Sequence, residues 1–353
     1  LTERIDLGVG AFYGRSTADQ GEAVFPWFGL RFLEPDIKID STDAKGNYIA
    51  AINRPPLSGN VSNPLYVTQQ DKNSNDRDRF TGTFKGTYRM LNWLTADANV
   101  GYDVANQTSK AFSPLGFTSS SGIKSSGSLS EQTDNDRSYN VGATLTSVRE
   151  FGSSIRNTSK VAWTYEDQTN QFVGATAPSL SVVQVTEFSA AAQSADNPVV
   201  PRSITQQIRA NNYFAVTTFD IKDRYIIDGL IRRDQSSLFG ADSRSATYHR
   251  LSGAYRLSQD IKLPGVDELK LRASYGTAGL RPPFEAQYET YALVGGNPEK
   301  VTLGNRELKP AFSKETELGF NMNFHQNYSL EYTYSARQTS DQIMQVPLSS
   351  ATG

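Results

Sequence analysis

TELGFNMNFHQNYSLEYTYSAR, residues 316–337, contains two alternating segments joined by a short polar turn. In the first segment the apolar residues Leu318, Phe320, Met322 and Phe324 alternate with Glu317, Gly319, Asn321 and Asn323. In the second, Tyr328, Leu330, Tyr332, Tyr334 and Ala336 alternate with Ser329, Glu331, Thr333, Ser335 and Arg337. Successive side chains of a strand point to opposite faces, so each segment has an apolar face and a polar face. With the turn at 325–327, the pattern predicts a two-faced β-hairpin.

The composition restricts the classes of function that this chain can have. It has 353 residues, with 35 Lys and Arg against 37 Asp and Glu, and no cysteine. The near-neutral balance argues against a nucleic-acid partner held by a basic surface. The absence of cysteine excludes disulfides, thiolate nucleophiles and Cys-ligated zinc. No apolar run approaches the roughly 18 residues of a transmembrane helix, but the mean hydropathy of −0.48 also suits a membrane β-barrel, whose strands alternate.

Nine further segments show the same alternation, and together with the hairpin they predict eleven strands. They are Glu3–Tyr13, Arg77–Met90, Trp93–Asn106, Gln132–Arg149, Ser154–Val173, Ile204–Asp220, Arg224–Gln235, Tyr248–Gln259 and Glu268–Ala278. Long connections, at about 14–76, 107–131, 174–203 and 279–310, alternate with tight turns, and a medium one follows the seventh strand. In an up-and-down sheet this order places every long loop at one end.

The segregation of loop lengths predicts an all-β, antiparallel, up-and-down transmembrane β-barrel. Outer-membrane barrels have short periplasmic turns and long extracellular loops, whereas a soluble sandwich has no reason to segregate them. Eleven strands are an odd number, while single-chain bacterial barrels usually have an even number and must close, because open edges in lipid leave backbone groups unpaired. The chain also begins at Leu1 without a signal sequence and ends soon after a strand. We therefore expect a fragment of a larger barrel.

Four motifs resemble SusC/RagA-type TonB-dependent transporters. They are LKLRASYGTAG (Leu269–Gly279), GNRELKPAF (Gly304–Phe312), NPLYVTQQDKNSNDRDRFTGTFKGTY (Asn63–Tyr88) and LNWLTADANVGYD (Leu91–Asp103). The order and spacing of these motifs fit the family across nearly the whole chain. Ala311 and Phe312 depart from the pattern, because the family usually has Glu after the Lys-Pro pair.

This resemblance implies a barrel of the 22-strand type with a plug domain in its lumen, of which this chain is a middle part. It implies an integral protein of the bacterial outer membrane, in contact with the membrane lipids, that takes up oligosaccharides or peptides. It also implies a SusD-like surface lipoprotein as a lid. Energy would come from the TonB–ExbB–ExbD complex through an N-terminal part that this sequence does not contain.

Candidate ligand contacts lie in the predicted long loops. Phe25, Trp27 and Phe28 can stack on a sugar ring at the barrel mouth, but they can equally pack the loop on itself or dock a partner. Two further loop cations join Arg31 as candidates for an anionic ligand, namely Arg281 and Arg306.

The sequence contains no set of residues that predicts catalysis or a cofactor. Its two histidines, His249 and His325, have no partners placed by the sequence for a metal site or a catalytic triad. The spacing of acidic and amide residues over 71–78 resembles a calcium loop, but the glycine and terminal glutamate of an EF-hand are absent. We predict a transporter that is not an enzyme. The alternatives are a β-rich surface binding or adhesion protein without transport, and an outer-membrane barrel enzyme.

The assignment of one face to lipid predicts opposite outcomes for neighbouring substitutions in the hairpin. Replacing Leu330 or Tyr332 with Arg is expected to cost about 2–4 kcal/mol if the site lies near the bilayer midplane. Arg at Glu331 or Thr333 is expected to be nearly neutral. The measurement is the free energy of unfolding in reconstituted bilayers, and equal effects on both faces would contradict the assignment.

Overall fold

A single antiparallel sheet of eleven strands dominates the computed structural model. The structure describes residues 3–19, 30–31, 35–36, 38–50, 63–119, 122–192, 196–294, 296–344 and 346–347. Each strand of the sheet pairs with the next one along the chain, except that a separate two-stranded hairpin is inserted before the last pair. The predicted all-β, up-and-down arrangement of eleven strands is confirmed. Within the described residues, each edge strand of the sheet is paired on one side only.

The strands have the following bounds. The large sheet contains β1 (Ile5–Asp19), β2 (Lys72–Leu91), β3 (Leu94–Ser113), β4 (Ser128–Phe151), β5 (Ile155–Ala177), β6 (Val200–Ile221), β7 (Tyr225–Ser236), β8 (Ser245–Arg256), β9 (Val266–Leu280), β12 (Ala311–Phe324) and β13 (Tyr328–Ser340). The inserted hairpin contains β10 (Thr290–Val294) and β11 (Asn297–Thr302). Long and short connections alternate from β1 to β7, but the β7–β8 and β8–β9 connections, 237–244 and 257–265, have similar lengths. We call the two ends of the sheet the loop end and the turn end.

Several strands extend further towards the loop end than the alternation indicated. The connections predicted at 14–76, 107–131, 174–203 and 279–310 are correspondingly shorter, because β1 reaches Asp19, β4 begins at Ser128 and β5 reaches Ala177. The first residues of β2, KNSNDRD, are polar on both faces. A strand with water on both sides keeps its ladder of backbone hydrogen bonds but loses the alternation of side chains, which explains why the pattern stopped early.

The long connections also contain regular structure. The helix α1 (Pro64–Gln70) lies between β1 and β2. The amide of Asn63 fixes its start: Oδ1 accepts a hydrogen bond from Leu65 N at 3.0 Å, and Nδ2 donates to the carbonyls of Ile39 and Ile49, both at 2.8 Å. Pro64 at the first helical position suits this cap. Among the described residues, no helix is long and apolar enough to cross a membrane.

The strand register collects the apolar side chains on one face of the sheet, which we call the apolar face. One cross-strand row runs through Phe219, Ile227, Gly253, Ala273, Leu318 and Tyr334. This face is uncovered by protein, since Val9 is 82% exposed, and Val161 and Leu251 are each 61% exposed. Contiguous apolar surface of this extent marks contact with another apolar medium.

Aromatic side chains border the apolar face at both ends. Near the turn end, Tyr225 stacks on Tyr255 with ring centroids 4.9 Å apart, and Phe324 stacks on Tyr328 at 5.5 Å. Towards the loop end the same face carries Tyr139, Tyr165, Tyr213 and Tyr275 in β4, β5, β6 and β9. Two aromatic girdles that flank an apolar band are typical of membrane β-barrels.

The opposite, polar face carries ion pairs between strands, two of them between neighbouring strands and one from β9 across β12 to β13. Arg79 Nη2 lies 3.0 Å from Asp103 Oδ2, Arg250 Nη2 lies 2.5 Å from Asp228 Oδ1, and Arg272 Nη2 lies 2.5 Å from Glu331 Oε1. Each pair is partly exposed, so each contributes little to stability by itself. Together they show that this face is suited to contact with water.

The pair between Arg272 and Glu331 corrects the prediction that Arg at position 331 or 333 is nearly neutral. Arg272 Nη2 also donates to Thr333 Oγ1 at 2.5 Å. An Arg at position 331 or 333 would therefore face an existing guanidinium and would not be neutral. Glu331→Gln, which keeps a hydrogen-bond acceptor, is the better comparison for Leu330→Arg.

A small hydrophobic core ties the loop-end connections together. It consists of Phe112, Leu129, Ala177, Leu180 and Ala191, and Leu115, Phe188 and Val199 pack against it. Leu129 is fully buried. Helix α1 joins this assembly because Thr118 N donates to Tyr66 Oη at 2.9 Å and the Tyr66 ring lies 5.2 Å from that of Phe117. The connections after β1, β3 and β5 therefore support one another at the loop end.

This loop core predicts a local effect of one substitution. Leu129→Ala is expected to cost about 2–5 kcal/mol of local stability, because it leaves a cavity among well-packed neighbours. Amide hydrogen exchange over 114–119 and 178–192 should accelerate, while exchange in β7 and β8 should stay unchanged. Ile123→Ala, in the connection that precedes β4, is the control, since Ile123 is 70% exposed. Equal acceleration by both variants would contradict the packing role of Leu129.

Candidate functional site

A cavity of about 970 Å³ lies on the polar face near the loop end of β8, β9, β12 and β13. We call it the polar-face cavity. Its lining residues come from strands and from the segments that follow them: Arg250, Ser274, Gly276, Thr277, Ala278, Gly279, Leu280, Arg281, Pro282, Pro283, Ala311, Ser313, Glu315, Glu317, Arg337, Thr339, Gln342 and Ile343. Most of them are polar or small, and several are charged.

Two arginines with carboxylate partners form opposite walls of this cavity. Arg337 donates to Glu315 Oε2 through Nε at 3.1 Å and through Nη2 at 2.7 Å, and Ser335 Oγ donates to Glu315 Oε1 at 2.6 Å. Arg250 donates through Nε at 3.1 Å and Nη2 at 2.5 Å, both to Oδ1 of Asp228. Each guanidinium is thereby oriented by its partner while retaining N–H groups for a ligand.

The mixture of charges decides what the cavity can bind. The side chain of Arg337 is 64% exposed and that of Arg250 is 50% exposed, whereas those of Glu315 and Asp228 are 30% and 15% exposed. The cations therefore project further into the cavity than the carboxylates that hold them. A ligand with carboxylate, amide or hydroxyl oxygens fits these donors better than a multivalent cation does.

Arg281 connects this cavity to the other side of the polar face. It follows directly on β9, and its Nη1 lies 3.2 Å from Glu166 Oε2 in β5. Gln168 Nε2 donates to the other carboxylate oxygen of Glu166 at 2.5 Å. Because β6, β7 and β8 separate β5 from β9 in the sheet, this ion pair brings the start of the 281–310 connection back across the polar face.

Other residues of the 281–310 connection contact the loop end of the same face. Gln287 Nε2 donates to Ser237 O at 2.5 Å, and Gly240 N donates to Leu308 O at 2.8 Å. Gly240 has no room for a side chain, because a Cβ there would lie 2.2 Å from Arg306 O. The buried strand positions in this region all belong to the polar face: Ala210, Asn212, Asp234, Ser236 and Tyr248. The connection thus narrows the space in front of β6–β8.

The structure separates the ligand-contact candidates that the sequence suggested. Among those it describes, Arg281 alone lines the polar-face cavity. Arg306 is 77% exposed and lies 3.5 Å from Asp242 of the β7–β8 connection, and Arg31 is exposed. The aromatic candidates Phe25, Trp27 and Phe28 lie outside the described residues.

Sequence reasoning missed the strand residues of the cavity, among them Arg250, Glu315 and Arg337. Each of them occupies a polar-face position near the loop end of its strand. The alternation had placed Arg337 on the polar face, but strand neighbours across a sheet come from distant parts of the chain. The register was needed to show that these charges converge.

The other sequence signals do not converge into a site. Asn73 and Asn75 alternate with Asp76 and Asp78 in β2, so their side chains point to opposite faces. Asp71 precedes this strand, and burial raises the pKa of its carboxyl, partly offset by a hydrogen bond from Ser113. Among the described residues, no three His, Cys, Asp or Glu side chains are grouped as metal ligands would be.

The comparisons with known proteins agree with this architecture. TonB-dependent receptor P26 of Formosa agariphila is 22% identical over 306 residues, which is 83% of this chain and 31% of that protein. TonB-dependent receptor P39 of the same organism is 27% identical over 157 residues, 40% of this chain and 15% of that protein. The chain thus spans less than a third of the curated relatives that it matches.

Solved structures of a peptide transporter share the fold. The RagAB peptide transporter covers 100% of this chain with a TM-score of 0.79 at 18% identity, and the match spans 40% of that chain. The RagAB peptide importer in its open-open state gives a TM-score of 0.81 at the same identity and the same coverage of both chains. The expected SusC/RagA-type barrel is confirmed at the level of fold. The model of the family described as TonB dependent receptor-like, beta-barrel matches residues 13–353, and the chain belongs to this family.

Proposed function

We propose that this chain forms part of the barrel wall of a TonB-dependent transporter in the bacterial outer membrane, which imports oligosaccharides or peptides. The observation that carries the proposal is the division of one sheet into an uncovered apolar face and a face of ion pairs. A wall with lipid on one side and a water-filled lumen on the other requires this division. The polar face then lines the lumen, and the loop end is extracellular.

The polar-face cavity supports a substrate with several oxygen acceptors. Exposed guanidinium groups of Arg250 and Arg337 offer donors to carboxylate and amide oxygens. Glu315 and Glu317 also line the cavity, so it contains both signs of charge. Peptides carry amides and both charges, whereas neutral sugars offer hydroxyl and ether oxygens and no charge. Of the two substrate classes, the cavity therefore favours peptides.

The Arg281–Glu166 pair supports a gating role for the 281–310 connection within this function. The pair holds the connection across the lumen side of β6–β8, where it narrows the path of a substrate. Membrane lipids on the apolar face, a SusD-like lipoprotein at the loop end and TonB–ExbB–ExbD as the energy source complete the proposal. The proposal assigns no catalytic role, so substrates leave the barrel chemically unchanged.

Uptake by intact cells tests the transport function and the role of Arg281 together. In cells that depend on the intact protein, depletion of a tryptic peptide mixture and of a neutral oligosaccharide mixture from the medium is measured by mass spectrometry. Arg281→Gln is expected to raise the uptake of the substrate about fivefold, because a half-buried ion pair contributes about 1 kcal/mol and its loss releases the segment that narrows the path. Glu166→Gln should have the same effect, and the double variant should add little to either.

Arg306→Gln is the matched control, because Arg306 is an exposed cation of the same connection. It should leave uptake unchanged, and dissipating the proton-motive force should abolish uptake in every strain. Cells that bind either mixture without energy-dependent uptake would favour a surface binding or adhesion protein. Equal effects of Arg281→Gln and Arg306→Gln would refute the gating role of the Arg281–Glu166 pair.

A further inference from the structure

The apolar face contains a groove of about 940 Å³ that crosses the strands from β1 to β8. Two cross-strand rows of side chains form its edges, and the backbone between the rows forms part of its floor. Where the groove crosses β2, β3 and β4, the row nearer the loop end consists of Gly86, Ala98 and Ala143, which are register partners. The lack of large side chains at these three positions opens the groove.

The groove rises from the turn end towards the loop end as it crosses the sheet. After Ala143 its loop-side row continues through Trp163, Tyr213 and Arg233. Gly86 lies near the turn end of β2, whereas Arg233 lies near the loop end of β7. The groove therefore leads along the apolar face to the cation Arg233, which lies at the level of the aromatic girdle at the loop end.

Arg233 shares the apolar face with other arginines, among them Arg137, Arg149 and Arg209. It is exposed, and its Nη2 donates to Ser245 Oγ at 3.3 Å. Within the part of the chain that the structure describes, it has no acidic partner, whereas Arg209 pairs with Asp167. Of these four arginines, Arg233 is the one that lines the groove. A guanidinium at the membrane interface with donors to spare is complementary to an anion.

We propose that this groove binds an acyl chain of a phosphorylated membrane lipid, whose phosphate is held by Arg233. The inference rests on the proposed placement of the chain in a membrane. Arginine recognises phosphate through parallel N–H donors, and the amphipathic rings of Trp163 and Tyr213 suit the headgroup level. The groove below offers apolar contacts and no hydrogen-bonding side chain at Gly86, Ala98 or Ala143, which matches a hydrocarbon chain.

Native mass spectrometry of the intact protein tests this site with defined probes. Dioleoyl phosphatidylglycerol supplies chains and phosphate, dioleoylglycerol supplies chains alone, and inorganic phosphate supplies the anion alone. The wild type should bind phosphatidylglycerol at least about tenfold more tightly than dioleoylglycerol and should not retain inorganic phosphate. Arg233→Gln should abolish this preference for phosphatidylglycerol. Ala143→Leu, which fills the groove, should weaken the binding of both lipids.

Arg137→Gln is the matched control, because Arg137 is an exposed arginine of β4 on the same face but does not line the groove. It should bind both lipids as the wild type does. Unchanged phosphatidylglycerol binding by Arg233→Gln, or unchanged lipid binding by Ala143→Leu, would overturn the proposal. A dimer that Ala143→Leu dissociates would also overturn it and would assign the groove to a second copy of the chain. Membrane fractionation of each variant separates a failed lipid site from a failed membrane placement.

Discussion

The backbone hydrogen-bond ladder that runs from β1 to β13 is the constraint on which the rest of this structure depends. Each strand pairs its backbone N–H and C=O groups with those of its neighbours. A single-layered sheet therefore leaves few of these groups without a hydrogen-bond partner in the protein. The ladder also fixes the register, because moving a strand by one residue would exchange its two faces. The exposed Val161 and the paired Arg272 keep to their own faces for this reason.

The register gives the two faces different energetic roles. On the apolar face, side chains contribute by leaving water for lipid, and the aromatic rings at both ends mark the height of that band. On the polar face, ion pairs such as Arg79–Asp103 bridge adjacent strands without being buried. A single layer thereby separates two solvents without an interior core. The small core around Leu129 lies at the loop end instead, where it orders the connections.

The candidate site arises where the polar face meets these connections. Arg250, Glu315 and Arg337 reach the polar-face cavity from strands, whereas Arg281 reaches it from the segment that follows β9. Strand residues are held by the ladder and provide fixed donors. The 281–310 connection is held by a few contacts, such as Arg281–Glu166 and Gln287–Ser237. A rigid wall with a less constrained covering segment is consistent with the proposed transport through a lumen.

The sequence by itself determined the number of strands in the large sheet, the positions of most long and short connections and the identity of the two faces. These properties follow from alternation, which is local and needs no neighbour. The family motifs, such as GNRELKPAF at residues 304–312, could also be recognised without a structure. The ends of the strands were not, because alternation fades where both faces meet water, and neither was the hairpin β10–β11 within a long connection.

Only the tertiary structure decided which residues meet. The convergence of Arg250 with Arg337, the reach of Arg281 to Glu166, and the row of Gly86, Ala98 and Ala143 all join residues that are distant in the chain. The register that places them together is set by the turns and by the summed pairing of whole strands, and no single segment encodes it. Alternation assigned each side chain to a face, and the register assigned its neighbours.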